Sequence, residues 1–385
     1  MATTDLARVS NGHDDAAAVL QAALDKGGHV RVPMGVYKVG RTLRIRSNTR
    51  LDVHPEARLL LGDGVGKTTD DFLLTNANHD AGDENIEIRG GIWDGNNRNN
   101  PRSKAAEADP LSDPGGYSGV LVNFRNVRRL TFGHCRLCDS ESYHFRATQL
   151  GDFLIRHVKI DTTNPRPNND GIHLGGFCQR GVIAYITGQG RKAPNDDLVA
   201  LNADDALGRI ECHGKLNGYQ RDIVVHDLQA DDCHSFVRIL STDSRVERLQ
   251  ISGIRGGCRE AMVNMDGARG CRVQVFDAQD PKYANGVGDC DDIRVSDARV
   301  WKTQKKGPLI RLQQRSTRLV IEDVLRDPER DSDSSSDTIH AEHLPGHVLT
   351  VEDEAGNLQT HEFVDRASSF QRRSGGFRRL SLDRA

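Results

Sequence analysis

Aromatic side chains are scarce in this chain, at 5% of its 385 residues, and only 36% of positions are hydrophobic. A helical bundle or a thick layered core draws more heavily on such residues, so both are poor fits. Neither sign of charge dominates: 52 Lys and Arg stand against 55 Asp and Glu, for a net charge of −3. There is thus no global basic field to attract nucleic acid or an anionic membrane surface. No apolar run approaches the roughly 18 residues that would span a bilayer. The start, MATTDLARVSNGHDD, has no basic patch followed by an apolar stretch. The expectation is therefore a soluble, cytoplasmic protein, or a secreted one if a leader has been removed. The eight cysteines are spread from Cys135 to Cys290, unlike the framework of a small disulfide-bonded domain, and are expected to be free.

What the chain does have is turns. There are 38 glycines, and from residue 40 onward short alternating segments recur, each closed by Gly, Asn or Asp. Leu43-Arg44-Ile45, Asn85-Ile86-Glu87-Ile88, Phe153-Leu154-Ile155, Ile223-Val224-Val225, Val273-Gln274-Val275 and Ile293-Arg294-Val295 are examples. Later members lie roughly 20 to 28 residues apart, a spacing that points to a solenoid. No unit holds enough apolar residues to bury a core alone, so each must stack on the next. Leucine-rich repeats share the period but need a signature and a recurring helix that are missing here. The reading is an all-β, single-stranded, right-handed parallel β-helix.

One helix is expected before it, over residues 14–26. Asp14 and Asp15 precede an alanine-rich body, and Lys26-Gly27-Gly28 ends it. It is placed to cap the first coil. The β-helix is assigned to residues 1–347. Residues 348–385 are assigned to a last strand and a basic, mobile tail. Residues 94–118 read as an excursion and residues 328–337 as a solvated loop.

The acidic residues concentrate between positions 164 and 205, in NPRPNNDGIHLGG and APNDDLVALNADD. Asp170 precedes one short strand, and Asp196 with Asp197 precedes another, 26 to 27 residues later. One coil of separation would bring three carboxylates together. Glycosidic cleavage uses such a set, with one acid protonating the leaving oxygen while another carboxylate activates water or attacks. Crowding of like charges also keeps a proton on one member near neutral pH. Asn and Asp are also ordinary turn formers. The paired occurrence, each leading into Gly-Ile-His-Leu or Leu-Val-Ala-Leu, is what favours chemistry.

At these residues the sequence resembles the polygalacturonase family of pectinase-type, inverting glycoside hydrolases. Asn168-Asn169-Asp170 resembles that family's N-T-D motif, and Asp196-Asp197 its D-D motif one coil later. Cys212-His213-Gly214 resembles G-H-G, and Arg238-Ile239-Leu240 resembles R-I-K with leucine in place of lysine. The resemblance implies Asp196 as general acid, with Asp170 and Asp197 holding the attacking water. It also implies His213 in the proton network and Arg238, with Asn168, at the substrate. His173, in phase with Gly171, is a further candidate for the substrate cleft. Losing the lysine removes half of a uronate-binding pair, which points away from polygalacturonate itself.

The expected partner is a poly- or oligosaccharide, with neither cofactor nor metal, and a homo-oligomer is compatible with this reading. Cys135-Arg136-Leu137-Cys138 has zinc-ligand spacing but no second pair. His234, in Asp231-Asp232-Cys233-His234, is expected to be structural. Gly64-Val65-Gly66-Lys67-Thr68 lacks the first glycine and the long helix of a phosphate loop. Two other classes use the same scaffold: a polysaccharide lyase or fructotransferase-like enzyme, and a non-catalytic glycan-binding fibre.

Overall fold

The computed structural model describes residue 6 and residues 8–108, 117–205, 216–270, 280–304, 307–373 and 375–384. Within them, strands from successive coils pair in parallel. Leu43–Ile45 pairs with Leu74–Asn76, which pairs with the start of Val122–Cys138, and that with the start of Phe145–Asp161. The ladder continues through Ile172–Leu174 and Val199–Asn202 to the C-terminal ends of Gln220–Leu240 and Arg245–Met265. It ends on Ile310–Leu312 and Asp337–Glu342. The architecture is mostly β, with its strands stacked coil on coil. The expected strand at 273–275 lies outside the described residues.

Two-residue alternation sorts side chains in this ladder. Leu43, Leu74, Val122, Phe145, Ile172, Val199, Val237, Val263, Ile310 and Ile339 stack in register and are buried. One residue further along, the row reads Arg44, Thr75, Asn123, Arg146, His173, Ala200, Arg238, Asn264, Arg311 and His340. The first row is core. The second is a polar floor running across the coils.

The longer strands, up to 21 residues in Gln220–Leu240, turn corners at residues in the left-handed region. One corner stacks Asn48, Asn85, Arg129, Asp152, Arg180, Asp222, Arg248 and Asp292, with φ between 52° and 60°. From Arg129 onward it alternates in charge. Arg180 donates to both Asp152 oxygens at 2.7 and 3.1 Å, and Arg248 to both Asp222 oxygens at 2.6 and 3.0 Å. The other corner stacks Gly90, His134, His157, Tyr185, Asp227, Gly253, Asp297 and Asp323, all with positive φ. At Gly90 a Cβ would collide with the Val53 carbonyl oxygen, so only glycine fits there.

The helix forms at Ala17–Lys26, shorter than expected, because Asn11–Asp15 pairs as a strand with Val36–Val39. Asp15 explains the offset: its Oδ1 accepts from the Ala17 N–H at 2.9 Å and the Gly40 N–H at 2.8 Å. Ala17, Leu20, Ala23 and Leu24 are buried, and Gln21 exchanges two hydrogen bonds with the Arg44 backbone.

Two stretches expected to be mobile are held by specific bonds. Residues 328–337 close around buried Arg326, which donates to the Asp331 carboxylate, the Asp333 and Ser336 carbonyls and Thr338 Oγ1. The basic tail forms Ser369–Arg373 and Phe377–Arg384, antiparallel to Asp337–Glu342 and Arg318–Arg326. Its arginines alternate with Phe377, Leu380 and Leu382, which are buried, so its basic composition conceals a strand with one apolar face.

Cys135, Cys138, Cys178, Cys233, Cys258 and Cys290 are free and buried, and Cys233 stacks in register on Cys258. Cys212 and Cys271 lie outside the described residues. Among the described residues no helix is long and apolar enough to cross a membrane.

Candidate active site

The turns that lead into the polar floor are stacked by their own backbones. Asp170 O accepts from the His144 N–H at 2.9 Å, Asp197 O from the Gly171 N–H at 2.9 Å, and Asp196 O from the His234 N–H at 3.1 Å. This chain of bonds carries Asp170, the Asp196–Asp197 pair and His234 on consecutive coils. The 26 to 27 residue spacing thereby becomes spatial adjacency.

Asp170 is 4% exposed, and its Oδ2 accepts from His173 Nδ1 at 2.6 Å. His173 Nε2 lies 3.2 Å from Asp205 Oδ2, and its ring packs 4.2 Å from that of Tyr143. Burial alone would lower the affinity of His173 for a proton, but the bond to Asp170 and the nearness of Asp205 outweigh it and raise its pKa. Expected at the substrate, His173 is in fact only 1% exposed and set between two carboxylates. Burial, together with Asp197 and Asp205, raises Asp170 despite the His173 bond. Behind it, His144 Nδ1 lies 2.9 Å from the Asp170 carbonyl oxygen, and burial drives this histidine down to about 4, leaving it neutral.

Asp196 and Asp197 occupy different surroundings although they adjoin in sequence. The Asp197 side chain is 3% exposed and that of Asp196 27%. Burial, then the charges of Asp170 and Asp197, push Asp196 up to about 7 against the pull of His234 and Arg238. A carboxyl in that state holds a proton it can give near neutral pH. His234 Nδ1 is 3.4 Å from Asp196 Oδ1 and 3.7 Å from Asp197 Oδ1. The expected structural histidine therefore faces the acids.

Arg238 lies in the polar floor two strands from His173, with Ala200 between them. Its Nε donates to Asp266 Oδ1 at 2.9 Å. Burial opposes its charge, but Asp266, Asp197 and Asp205 more than compensate and raise it. Leu240, at the lysine position of the resembled motif, is 2% exposed. Asn168 is half-buried, with φ 56°, and its Oδ1 accepts from Arg102 Nη1 at 3.3 Å. Arg102 also pairs with buried Glu141 at 3.0 Å, and Glu141 takes Arg166 as well, at 2.9 Å. Arg102, from the excursion after residue 94, thus packs against the turn that leads into Asp170. His213 lies outside the described residues.

Asp205, Asp266, Glu260 and His234 were not among the residues picked from sequence. Asp205 stood in view, three residues after Asn202 in NADD. Asp266 and Glu260 carried no local motif, and only the stacking of coils brings them in.

No protein-family model matches the chain, and no curated protein matches it in sequence. Solved structures do. A family 28 exopolygalacturonase from Yersinia enterocolitica superposes with a TM-score of 0.58 at 14% identity, over 86% of this chain and 66% of that one. The chain thus spans just under two thirds of that enzyme's length. The polygalacturonase of Erwinia carotovora ssp. carotovora gives 0.55 at 17% identity, over 83% of this chain and 92% of that one. An N-terminal fragment of bacteriophage Phi29 gene product 12 gives 0.58 at 14% identity, over 81% and 55%. At such identities the likeness is one of fold, and the fold is the pectinase-like parallel β-helix.

Proposed function

We propose that this protein is a glycoside hydrolase that cleaves a poly- or oligosaccharide by single displacement with inversion. The observation that carries the reading is the convergence of Asp170, Asp196 and Asp197 on adjacent coils through their backbone bonds, a crowding that raises Asp196 to about 7. In this reading Asp196 protonates the leaving oxygen, and Asp170 with Asp197 orients and deprotonates the attacking water. His173 acts as a positioning residue by fixing the Asp170 carboxylate. Arg238 binds substrate.

The charge around Arg238 bears on the substrate class. Its guanidinium is already engaged by Asp266, with Asp197 and Asp205 close, and Leu240 supplies no second cation. A polyuronate would meet net negative charge, so a neutral glycan suits the site better.

A reducing-sugar screen over neutral and uronic polysaccharides, run on wild type and Asp196→Asn together, tests this. Release from a neutral glycan by wild type alone is expected, with NMR of the first-formed product showing the inverted anomer. Retained configuration would exclude single displacement. An unsaturated product would point to a lyase, and no cleavage of any glycan to a binding protein.

A further inference from the structure

We propose that Asp196, Asp197 and His234 form a binding site for a divalent transition-metal ion, with zinc as the best match. One ligand atom from each lies within 4.8 Å of the others. Four-coordinate zinc, with bonds of about 2.0–2.2 Å, spaces its ligands about 3.4 Å apart. The two edges from His234 Nδ1, at 3.4 and 3.7 Å, are already close to that spacing. One imidazole and two carboxylates suit zinc and its transition-metal neighbours better than magnesium or calcium, which favour oxygen ligands alone.

A separate observation points into the same space. Asp197 is 2% exposed, yet its Oδ1, the atom facing His234, has no hydrogen-bond partner among the described residues. A buried carboxylate oxygen in that state has charge nearby but no group bonded directly to it, which a metal ion would supply. The outer surroundings also fit. His234 Nε2 is 4.0 Å from Glu260 Oε2, and Arg311 Nη2 holds the other Glu260 oxygen at 2.6 Å. At 4.0 Å the separation of His234 and Glu260 is an ion-pair distance and not a hydrogen bond; closing it by about 1 Å would give the carboxylate contact that orients a metal-bound histidine. Asp196 and His234 are 27% and 19% exposed, which leaves an ion a route in and an outer position for water.

The consequence for catalysis rests on the hydrolase reading above. A carboxylate that ligates a metal cannot also donate a proton, so zinc would inhibit rather than assist. Binding itself needs no substrate, which keeps the two ideas separable.

The test is calorimetric titration of the chelator-treated 385-residue chain with zinc chloride, comparing wild type with His234→Ala, His234→Gln and Asp197→Asn. One equivalent bound with micromolar affinity by wild type is expected, weakened at least about tenfold in each variant, with magnesium binding far more weakly. His226→Ala, on an exposed face, should bind as wild type does. Wild type that takes up no zinc, or His234 variants that bind it equally well, would overturn the site. Zinc uptake without cleavage of any glycan would sink the hydrolase and leave the site standing. Cleavage that zinc neither binds to nor slows would do the reverse.

Discussion

Asp196 carries two opposed consequences in one carboxyl group. As the proposed acid, its replacement by asparagine should lower kcat about 10²–10⁴-fold with the circular dichroism spectrum unchanged. Wild-type turnover in that variant would remove the cluster from catalysis. For stability the sign reverses. Folded Asp196 keeps its proton up to about 7, against an ordinary value of 3.8, so its stabilising contribution is complete below the ordinary value and is lost as pH rises through 7. Asp196→Asn should therefore gain on wild type in thermal stability between pH 4 and pH 8, and a pH-independent difference would contradict the burial argument. His173 makes a parallel case. Its raised pKa gives a contribution that is full below about 6.5 and fades as pH climbs through the higher folded value. His173→Asn should cost more stability at pH 6 than at pH 9, and its pH–rate profile should shift because Asp170 loses its partner.

Elements in this fold end at corners, and the corners have their own chemistry. Asp152 lies between Arg129 and Arg180 in a stack of left-handed residues, and Asp222 between Arg180 and Arg248. These pairs are exposed, so each contributes little alone. Their alternation matters more through what it avoids, namely like charges stacked one coil apart. Asp152→Arg would place three guanidinium groups in succession. The expected result is a melting temperature about 1–3 °C lower in dilute buffer. The loss should shrink in about 1 M salt, where charges are screened over about 3 Å. An equal loss at both salt concentrations would point to backbone strain at the corner instead.

Across the whole molecule, each coil touches chiefly its neighbours, so damage should stay local. The tail strands Ser369–Arg373 and Phe377–Arg384 cover the edges of Asp337–Glu342 and Arg318–Arg326. Removing residues 369–385 would bare those edges and strip the partners of buried Phe377, Leu380 and Leu382. Exposed parallel edges pair with other chains, so light scattering should detect oligomers and the last coils should melt first. The acids lie several coils away, before the strands ending at Leu240, Met265 and Leu312, and activity at low temperature should survive. A truncated protein that stays monomeric with an unchanged melting curve would show the tail to be dispensable.

Period, alternation and turn residues are local properties, and they were enough to read the solenoid and to put Asp170 and the Asp196–Asp197 pair on adjacent coils. Backbone bonds such as Gly171 N–H to Asp197 O confirm that adjacency. The same locality explains the errors. The tail's arginines read as disorder because its partner strands lie 27 to 65 residues back, from Glu342 with Ser369 to Arg318 with Asp383. The loop at 328–337 read as solvated because nothing in its own letters shows that Arg326 is buried beneath it. His173 and His234 are both histidines on or beside strands. Only the register of neighbouring coils decided that one sits between Asp170 and Asp205 and the other faces Asp196 and Asp197. Sequence by itself determined the repeat and the carboxylates it aligns, because those follow from short-range pattern. Burial, proton affinity and the company each side chain keeps were settled by tertiary structure, because they depend on residues one to several coils away.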